Sequence, residues 1–357
     1  MEHERFMRRC LELARKGIYT TPPNPMVGSV IVCQGKIIGE GYHVKPGQPH
    51  AEINAINSVK DPSLLRKATL YVNLEPCSHY GKTPPCAEKI AKLGIPRVVI
   101  GIKDFSSKVN GKGIAIMQRA GVKVIAGVLE REAFELNRRF FVNQLLGRPY
   151  VVLKWAQSAD GYLDYADKKQ RTVHWITDEF SRTKVHFQRA TEQAVLVGAE
   201  TVRKDNPSLT IRSWYAPKQP VRIVIAGRFD KLLLASRVFT DDQKTLFVNT
   251  GNGPVPDAGE KKIFINAPNK SIKEILSVLY HSYDIYSVVV EGGRKTLDAF
   301  IAEGMWDEAY VYTGPVRFGV GVEAPILRGI IVRTEVADGI ETRIYKNPVY
   351  ENFVGRF

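Results

Sequence analysis

Two short stretches in the N-terminal half contain residue types that ligate zinc. One is His50–Ala51–Glu52, and the other contributes Cys77 and Cys86, each directly after a proline. One histidine and two cysteines leave a fourth coordination position open, which is typical of a catalytic zinc, whereas a structural zinc has four protein ligands. Glu52 lies two residues after the histidine, where it can reach a zinc-bound water without ligating the metal. This combination predicts a zinc-dependent deaminase acting on an amino-substituted base.

Helix starts and strand ends are predicted to position these side chains. His50 follows Pro49 and opens a predicted helix over residues 51–59, so that His50 and Glu52 can face the same cleft. Cys77 follows a predicted strand over residues 69–74, and a second helix is predicted to begin at residues 84–86. Both cysteines then lie near a strand end or a helix start, where the helix dipole favours a thiolate.

The other N-terminal elements follow from their residue patterns. Apolar residues at helical spacing predict a helix over residues 3–16, and a Gln34–Gly35 turn predicts a hairpin of strands 27–33 and 36–43. Further along the chain, strands and helices are expected to alternate, at residues 97–102 (strand), 111–120 (helix), 122–126 (strand) and 130–145 (helix). This alternation predicts a three-layer α/β domain.

Polar residues beside the predicted zinc site are candidates for contacts with a ligand. Asn24 stands between two prolines, which hold its backbone stiffly, so that it can be a simple turn residue or can present its amide to a ligand. Eight residues separate Cys77 from Cys86, where deaminases usually have Cys-x-x-Cys. This longer loop contains His79 and Lys82, which can meet a polar or phosphorylated substrate or can be ordinary loop polarity.

A domain boundary is predicted at residues 147–149, Gly–Arg–Pro, which gives domains over residues 1–146 and 150–357. The second domain has its own α/β rhythm. Strands are expected at 150–156, 194–198, 221–226, 245–248 and 287–291, and helices at 178–190, 271–280 and 295–303. No Gly-x-Gly-x-x-Gly occurs, but the glycine pair at 292–293 stands between a buried strand and a helix start, where backbone N–H groups can bind phosphate. Residues 201–212 are predicted to be a polar loop with basic side chains.

Charge and composition narrow the class of partner. The net charge of +14 is spread over the whole chain, without a long basic run and without the interleaved aromatic residues of single-strand binders. This disfavours nucleic acid and fits a phosphorylated small molecule. No apolar run approaches the roughly 20 residues that span a bilayer, and the first residues do not read as a signal peptide. Cys10 and Cys33 are expected to be buried free thiols. The predicted location is the cytoplasm, without a membrane partner.

The motifs together resemble one family. Asn24–Pro25–x–Val27–Gly28, His50–Ala51–Glu52 and the stretch from Pro76 to Cys86 resemble the bifunctional deaminase–reductase of bacterial riboflavin biosynthesis. The second half agrees in order, with motifs at Lys154, Ser158–x–Asp160–Gly161, Trp175–Ile176–Thr177, Asp205–x–Pro207–x–Leu209–Thr210–x–Arg212 and Glu291–Gly292–Gly293. The resemblance implies an N-terminal three-layer domain of the cytidine-deaminase-like fold and a C-terminal domain like dihydrofolate reductase.

Two successive reactions are implied by this resemblance. The first domain would use zinc (Zn2+) to remove the 2-amino group of a diaminopyrimidinone that carries a phosphoribosylamino group. Glu52 would take the proton of the water, deliver it to the ring and protonate the leaving ammonia. The second domain would use NADPH to reduce the ribosyl group to ribityl. The resemblance also favours a homo-oligomer.

The resemblance further implies a role for individual residues. The zinc ligands would be His50, Cys77 and Cys86, and the deaminase substrate would be contacted by Asn24, His43, His79, Lys82 and Asp104. In the reductase, Lys154 would be catalytic, and the substrate would also be contacted by Arg189, Leu209, Arg212 and Glu291. Arg189 and Arg212 suit the 5′-phosphate because a guanidinium can form two hydrogen bonds with it. NADPH would be bound by Trp175, Thr201, Asp205, Gly293, Arg294, Lys295 and Thr296.

Departures from the family pattern leave two other functions open. Asp104–Phe105–Ser106–Ser107 replaces the family's Asp-Pro-Asn-Pro, the segment over residues 164–172 is longer and more charged, and Val173 stands where a substrate-binding serine is expected. One alternative is a deaminase whose reductase-like module is inactive. The other is a tRNA or other nucleic-acid base deaminase with an appended domain, which the cysteine spacing and the reductase motifs disfavour.

Overall fold

The structure is a computed structural model that describes residues 2–80, 84–106, 109–166 and 174–349. The chain divides into two compact units, the first ending at Gly147 and the second beginning at Arg148. Each unit has its own central sheet. Within the described ranges, no helix is both long and apolar enough to cross a membrane.

The first unit is built on a five-stranded sheet of order β2-β1-β3-β4-β5. Strand β1 is antiparallel to β2 and β3, whereas β3, β4 and β5 run parallel. A 3-10 helix covers Pro62–Lys67. The strands are β1 (Gly28–Cys33), β2 (Lys36–Tyr42), β3 (Thr69–Leu74), β4 (Arg97–Ile102) and β5 (Lys123–Ala126), and the helices are α1 (Glu2–Arg15), α2 (Ala51–Asn57), α3 (Cys86–Lys92), α4 (Lys112–Arg119), α5 (Glu130–Leu136) and α6 (Arg138–Leu146).

Helices cover both faces of this sheet, because successive strand residues point to opposite sides. In β1, Val30 packs with Phe6 and Cys10 of α1, whereas Ile31 packs with apolar residues of α2, α3 and α4 on the other side. These two buried clusters give the predicted three-layer α/β/α arrangement. The three central strands, β1, β3 and β4, are buried over most of their length, so the layers hold the loops at the ends of these strands in fixed positions.

The second unit is built on a nine-stranded sheet of order β11-β10-β9-β8-β12-β6-β13-β16-β15. The first seven strands in that order run parallel, and β16 and β15 form an antiparallel edge. The strands are β6 (Tyr150–Gln157), β7 (Tyr162–Tyr165), β8 (Ala194–Gly198), β9 (Val221–Ala226), β10 (Thr245–Asn249), β11 (Lys262–Asn266), β12 (Ser287–Val290), β13 (Glu308–Thr313), β14 (Gly321–Glu323), β15 (Ile330–Ala337) and β16 (Ile340–Lys346). Strands β7 and β14 form a separate antiparallel pair.

Helices pack against this sheet through apolar faces. Ile275, Leu276 and Leu279 of α11 and Leu297 and Phe300 of α12 join the buried core of the parallel strands. The helices of this unit are α7 (Glu179–Thr191), α8 (Ala199–Asp205), α9 (Lys231–Leu234), α10 (Arg237–Thr240), α11 (Ile272–Tyr283) and α12 (Arg294–Ala302). Because the strands β11 to β13 in the sheet order run parallel, their carboxyl ends lie at the same edge of the sheet. Ligands bind at this edge in such sheets.

Two sequence predictions about local structure were wrong. The helix expected over residues 130–145 is divided into α5 and α6 at Asn137. The side chain of Asn137 accepts a hydrogen bond from the Met26 backbone N–H at 2.8 Å and donates one to the Met26 carbonyl at 2.9 Å. The helix is thus interrupted at a residue whose side chain binds a distant part of the chain. The polar loop expected over residues 201–212 begins as helix α8 and becomes irregular only after Asp205.

Candidate active sites

Three potential zinc ligands converge in the first unit. His50 precedes α2, Cys77 follows β3 by three residues and Cys86 is the first residue of α3. The His50 Nδ1 atom lies 3.5 Å from the Cys77 Sγ atom and 3.4 Å from the Cys86 Sγ atom, and the three ligand atoms all lie within 4.8 Å of one another. Three parts of the chain therefore supply one compact donor set.

These donors fit a tetrahedral zinc ion. Zinc–sulfur and zinc–nitrogen bonds of about 2.3 and 2.0 Å place neighbouring ligand atoms about 3.5 Å apart in a tetrahedron. The Cys86 backbone N–H donates to the Cys77 sulfur at 3.3 Å. The hydrogen bonds from Cys86 and His50 hold the pKa of Cys77 well below that of a free thiol, which favours the thiolate that ligates a metal. Among the described residues, His50, Cys77 and Cys86 are the one group of three such side chains that lie close enough together to hold a metal ion.

Glu52 lies in the first turn of α2, beside this donor set. Its side chain is 3% exposed, and burial raises its pKa to about 6, although the nearby His50 favours the ionised form. Its carboxyl group also hydrogen-bonds to the Cys86 side chain. Glu52 lines the same cavity as His50 and Cys77, so the carboxylate can exchange protons with a ligand that reaches the metal position.

The adjoining cavity has a volume of about 280 Å³, and Asn24 and His43 form one wall of it. The His43 Nδ1 atom lies 3.3 Å from the Pro49 carbonyl, and the His43 Nε2 atom lies 3.0 Å from the Asn24 amide nitrogen. A carbonyl oxygen can only accept, so Nδ1 carries the proton and Nε2 accepts from Asn24. This chain of hydrogen bonds fixes the orientation of the Asn24 amide. His79 also lines the cavity, whereas Lys82 lies outside the described residues.

Glu75 is a cavity residue that the sequence patterns did not single out. Its carboxylate is 4% exposed and accepts from the backbone N–H groups of Asp104 (3.2 Å), Gly111 (3.0 Å) and Ile114 (3.2 Å). Asp104, which also lines the cavity, lies in the stretch after β4. The bonds to Glu75 therefore connect that stretch to the segment 75–77, which carries the potential zinc ligand Cys77. A Cβ atom at Gly113 would lie 2.1 Å from the Pro76 carbonyl oxygen. Only glycine therefore allows α4 to pack this closely against the segment 75–77. Glu75 and its partners lie some 30 to 40 residues apart in the chain. Local sequence patterns therefore could not predict these hydrogen bonds.

The second unit contains a larger cavity of about 610 Å³ at the carboxyl edge of the parallel strands. Lys154 of β6 lines this cavity, and its Nζ atom lies 5.8 Å from the centre of the Tyr312 ring. Burial lowers the pKa of Lys154, although the nearby Glu291 opposes that shift. Eight of the predicted reductase residues line this one cavity: Lys154, Trp175, Arg189, Thr201, Asp205, Leu209, Arg212 and Glu291.

Arg189 and Glu291 form an ion pair inside this cavity. The Arg189 Nε and Nη2 atoms donate to the two carboxylate oxygens of Glu291 at 2.6 and 2.7 Å, and Nη1 donates to the Thr210 carbonyl at 2.8 Å. Burial alone would raise the pKa of Glu291, but the charge and hydrogen bonds of Arg189 hold it down at about 2. The Arg189 guanidinium, expected to hold phosphate, is thus committed to Glu291 and Thr210.

Only some of the residues expected around NADPH line the cavity. The Trp175 ring is 62% exposed and is covered on one face by the Arg182 guanidinium, 4.5 Å from the ring centre. Gly293 directly precedes α12, and a Cβ atom there would lie 3.1 Å from the Thr201 hydroxyl. Thr296 packs against Gly198, and the Arg294 guanidinium donates to the Glu323 and Ala324 carbonyls. Gly293, Arg294, Lys295 and Thr296 do not line the cavity among the residues described.

Known proteins match both units. The family model for the cytidine and deoxycytidylate deaminase zinc-binding region matches residues 1–102, and that for the RibD C-terminal domain matches residues 149–336. The chain is 42% identical to the riboflavin biosynthesis protein RibD of Bacillus amyloliquefaciens over 91% of this chain and 87% of that protein. It is 40% identical to RibD of Aquifex aeolicus over 89% of this chain and 88% of that protein.

Solved structures match along nearly the whole chain. A diaminohydroxyphosphoribosylaminopyrimidine deaminase/5-amino-6-(5-phosphoribosylamino)uracil reductase from Thermotoga maritima superimposes with a TM-score of 0.85 at 36% identity, covering 97% of this chain and 99% of that chain. RibD from Acinetobacter baumannii superimposes equally well, with a TM-score of 0.85 at 33% identity, covering 97% and 98%.

A zinc-binding deaminase domain followed by a reductase domain defines a bifunctional deaminase–reductase. Its cofactors are zinc in the first domain and NADPH in the second. The chain belongs to the RibD family of riboflavin biosynthesis proteins. The family membership confirms the predicted fold class and activity, and it removes the alternative of a nucleic-acid base deaminase.

Proposed function

We propose that the chain catalyses two successive steps on one phosphorylated pyrimidine. The first unit hydrolyses the 2-amino group of 2,5-diamino-6-(5-phosphoribosylamino)pyrimidin-4(3H)-one, and the second reduces the ribosyl group of the resulting 5-amino-6-(5-phosphoribosylamino)uracil to ribityl. The observation that carries the proposal is the convergence of His50, Cys77 and Cys86 beside a buried Glu52. The name of the Thermotoga maritima protein supports the order, because the substrate in its reductase activity is already a uracil.

In the deaminase, Glu52 is proposed to move the protons. When bound, zinc lowers the pKa of a water molecule enough for hydroxide to be available near neutral pH. The Glu52 carboxylate accepts a proton as the water oxygen bonds to C2 of the pyrimidine. Glu52 then delivers this proton to a ring nitrogen next to C2. The second proton of the water, on the hydroxyl group now at C2, is transferred through Glu52 to the amino group, which leaves as ammonia as the C2–N bond breaks and a carbonyl forms. One water is consumed and one ammonia is released.

Asn24, His43, His79 and Asp104 are proposed to hold the pyrimidine for this reaction. Asn24 and His43 are linked by a hydrogen bond, and Asp104 lines the same cavity on the stretch that Glu75 fixes. A rigid polar wall favours one orientation of a small ring, which brings the reacting carbon and the metal site together. Lys82 is proposed as a further substrate contact from the family resemblance alone.

In the reductase, Lys154 is proposed to be the proton donor. When bound, NADPH would supply a hydride for C1′ of the ribosyl group. The bond between C1′ and the ring oxygen breaks, and the Lys154 ammonium protonates that oxygen, so that ribityl forms. The half-buried position of Lys154 in the cavity, beside Tyr312 and near Glu291, supports this role. Trp175, Thr201, Asp205 and the start of α12 from Gly293 to Thr296 are proposed to face the cofactor.

Arg212 is proposed to be the principal ligand of the 5′-phosphate, ahead of Arg189. The Arg212 side chain is exposed at the cavity and reaches the Thr210 hydroxyl only at 3.4 Å. The Arg189 guanidinium is occupied by Glu291 and the Thr210 carbonyl. Arg189 is then proposed to orient Glu291, and both residues line the pocket with Leu209.

We also propose that the protein forms a homo-oligomer in the cytoplasm. Strand β15 lies at the edge of the nine-stranded sheet and exposes Ile330, Ile331 and Val336, which are 45%, 51% and 72% exposed. An exposed apolar edge strand is a surface that natural proteins usually cover. The four cysteines are all free, which agrees with a reducing compartment. Sedimentation of the purified chain tests the oligomer.

Stepwise incubation tests the two activities. The purified protein is incubated with the diaminopyrimidinone, first without NADPH and then with it. We expect ammonia and a ribosyl product in the first stage and conversion to the ribityl product only in the second. Ammonia release without any NADPH oxidation would instead support the alternative in which the reductase-like module is inactive. Loss of both activities would contradict the proposal.

A further inference from the structure

His186 lies in the reductase cavity but has no part in the mechanism above. It stands on α7, three residues before Arg189, so that both side chains lie on the same face of the helix. The residue is 7% exposed, and it lines the cavity that also contains Lys154 and Arg212. A buried imidazole on the wall of a binding pocket has a defined hydrogen-bonding role.

The contact of His186 with Arg212 determines which nitrogen of the ring carries the proton. The Arg212 backbone N–H donates to the His186 Nδ1 atom at 3.3 Å. A backbone amide nitrogen can only donate, so Nδ1 must accept, and the proton of the neutral ring is on Nε2. This is the one hydrogen bond that the ring makes within the described part of the chain. The Nε2–H group is therefore left to donate to a ligand.

Burial and the surrounding charges keep this ring neutral. Burial, followed by the positive charges of Arg189, Arg212 and Lys154, lowers the pKa of His186 to about 4, against the opposing effect of Glu291. Three cations thus face one anion around the ring. Because Glu291 is already paired with Arg189, the remaining positive charge favours an anionic ligand.

We propose that His186 is a specificity-determining residue that donates its Nε2–H to the 5′-phosphate of the reductase substrate, beside the Arg212 guanidinium. The inference rests on the proposed function and extends it. The Arg212 backbone holds the imidazole and the Arg212 side chain supplies the charge, so one residue organises both parts of the phosphate site. A neutral donor adds a directional hydrogen bond that does not depend on pH in the neutral range.

Two substitutions separate this role from a structural one. The side-chain oxygen of asparagine can replace Nδ1 as acceptor for the Arg212 backbone, but its amide does not reach the position of Nε2. The longer glutamine places an N–H group near the position of Nε2. We therefore expect His186→Asn to raise the KM for 5-amino-6-(5-phosphoribosylamino)uracil about 10-fold or more, because a hydrogen bond to a charged group is lost. His186→Gln should remain close to the wild type.

The experiment measures NADPH oxidation by the full chain with the uracil substrate supplied directly. Inorganic phosphate is used as a competitive inhibitor, and its Ki should rise with the KM in His186→Asn only. The KM for NADPH should stay unchanged in both variants, which shows that the cavity is intact. His281→Asn, on the exposed side of α11, is the matched control and should behave as the wild type.

Three results would overturn the inference: unchanged kinetics in both variants, equal impairment of both, or impairment of His186→Gln with normal His186→Asn. The last would mean that the ring only holds the Arg212 backbone. A wild-type protein that does not oxidise NADPH with this substrate would instead refute the proposed reductase function. Binding of inorganic phosphate, followed by calorimetry, would then still test His186, with weaker binding expected in His186→Asn alone.

Discussion

Arg189 and Glu291 are joined by two parallel hydrogen bonds of 2.6 and 2.7 Å, although they lie 102 positions apart in the chain. Helix α7 supplies the arginine, and the turn after β12 supplies the glutamate. Both side chains are about nine-tenths buried. The pair therefore fixes the relation between a cavity wall and the glycine turn that precedes α12.

Removing one partner of this pair should destabilise the second unit. Glu291→Gln leaves the buried Arg189 charge without its counter-ion, and we expect a loss of about 3–5 kcal/mol in the free energy of unfolding. Denaturant unfolding followed by tryptophan fluorescence measures this loss. Lys184→Gln, which removes a more exposed pair with Glu335, is the control and should cost about 1 kcal/mol or less. Equal losses in the two variants would contradict the importance of burial.

The same pair predicts a pH dependence of stability. The pKa of Glu291 is held at about 2 in the folded protein, against an ordinary value of 4.5. Because the folded pKa is depressed, the stabilisation is complete above pH 4.5 and is lost as the pH falls towards 2, and it amounts to about 3 kcal/mol. Denaturant midpoints measured between these pH values should fall more steeply in the wild type than in Glu291→Gln. Parallel pH profiles would contradict the assignment.

Loss of one zinc ligand should remove the metal. The Cys86 Sγ atom lies 3.4 Å from the His50 Nδ1 atom, and Cys86→Ala leaves only two protein ligands. We expect the purified variant to contain little zinc by atomic emission spectroscopy and to release no ammonia. Cys33→Ala, another buried free cysteine, is the matched control and should retain one zinc per chain. Full zinc content in Cys86→Ala would exclude this donor set.

Removing the proton carrier should separate metal binding from catalysis. Glu52→Gln keeps the size of the side chain and leaves His50, Cys77 and Cys86 in place. We expect normal zinc content and a decrease of about 100-fold or more in the rate of ammonia release. NADPH oxidation with the uracil substrate should be unchanged, because Lys154 and its cavity lie in the other unit. Normal ammonia release by this variant would refute the role of Glu52.

The reductase should fail independently when Lys154 is changed. Lys154→Ala removes the ammonium group beside Tyr312, and we expect NADPH oxidation to fall about 100-fold or more while ammonia release continues. Lys154→Met, which keeps a side chain of similar length in this half-buried position, distinguishes loss of the proton donor from loss of packing. A comparable loss of ammonia release would show that Lys154 supports folding rather than catalysis.

The zinc site could be predicted from the sequence because its signal is local. His50 and Glu52 are two residues apart, and Cys77 and Cys86 each follow a proline at a distinctive spacing. Strands with continuous apolar runs were also predicted to within a residue or so, as for β3, β4 and β8. In these cases, residues close together in the sequence determine both the metal-binding chemistry and the burial of the strand.

Relations between distant residues could not be predicted in this way. In the sequence, Glu75 is only a neighbour of the cysteine motif, and the structure alone shows its three backbone donors. The sequence likewise suggests that Arg189 is free to bind phosphate, whereas the structure pairs it with Glu291. Asn137 interrupts a good helical pattern because its side chain bonds to Met26. Short strands such as β7 and β14, which pair only with each other, likewise depend on packing that the local sequence does not show.

The ratio of ammonia released to NADPH oxidised tests the central claim most directly. The purified wild-type protein is given the diaminopyrimidinone and excess NADPH, and both quantities are followed to completion in one reaction. If the two units catalyse consecutive steps, ammonia appears first and the final amounts of ammonia and oxidised NADPH are equal. NADPH oxidation that precedes ammonia release, or that proceeds without it, would contradict the account.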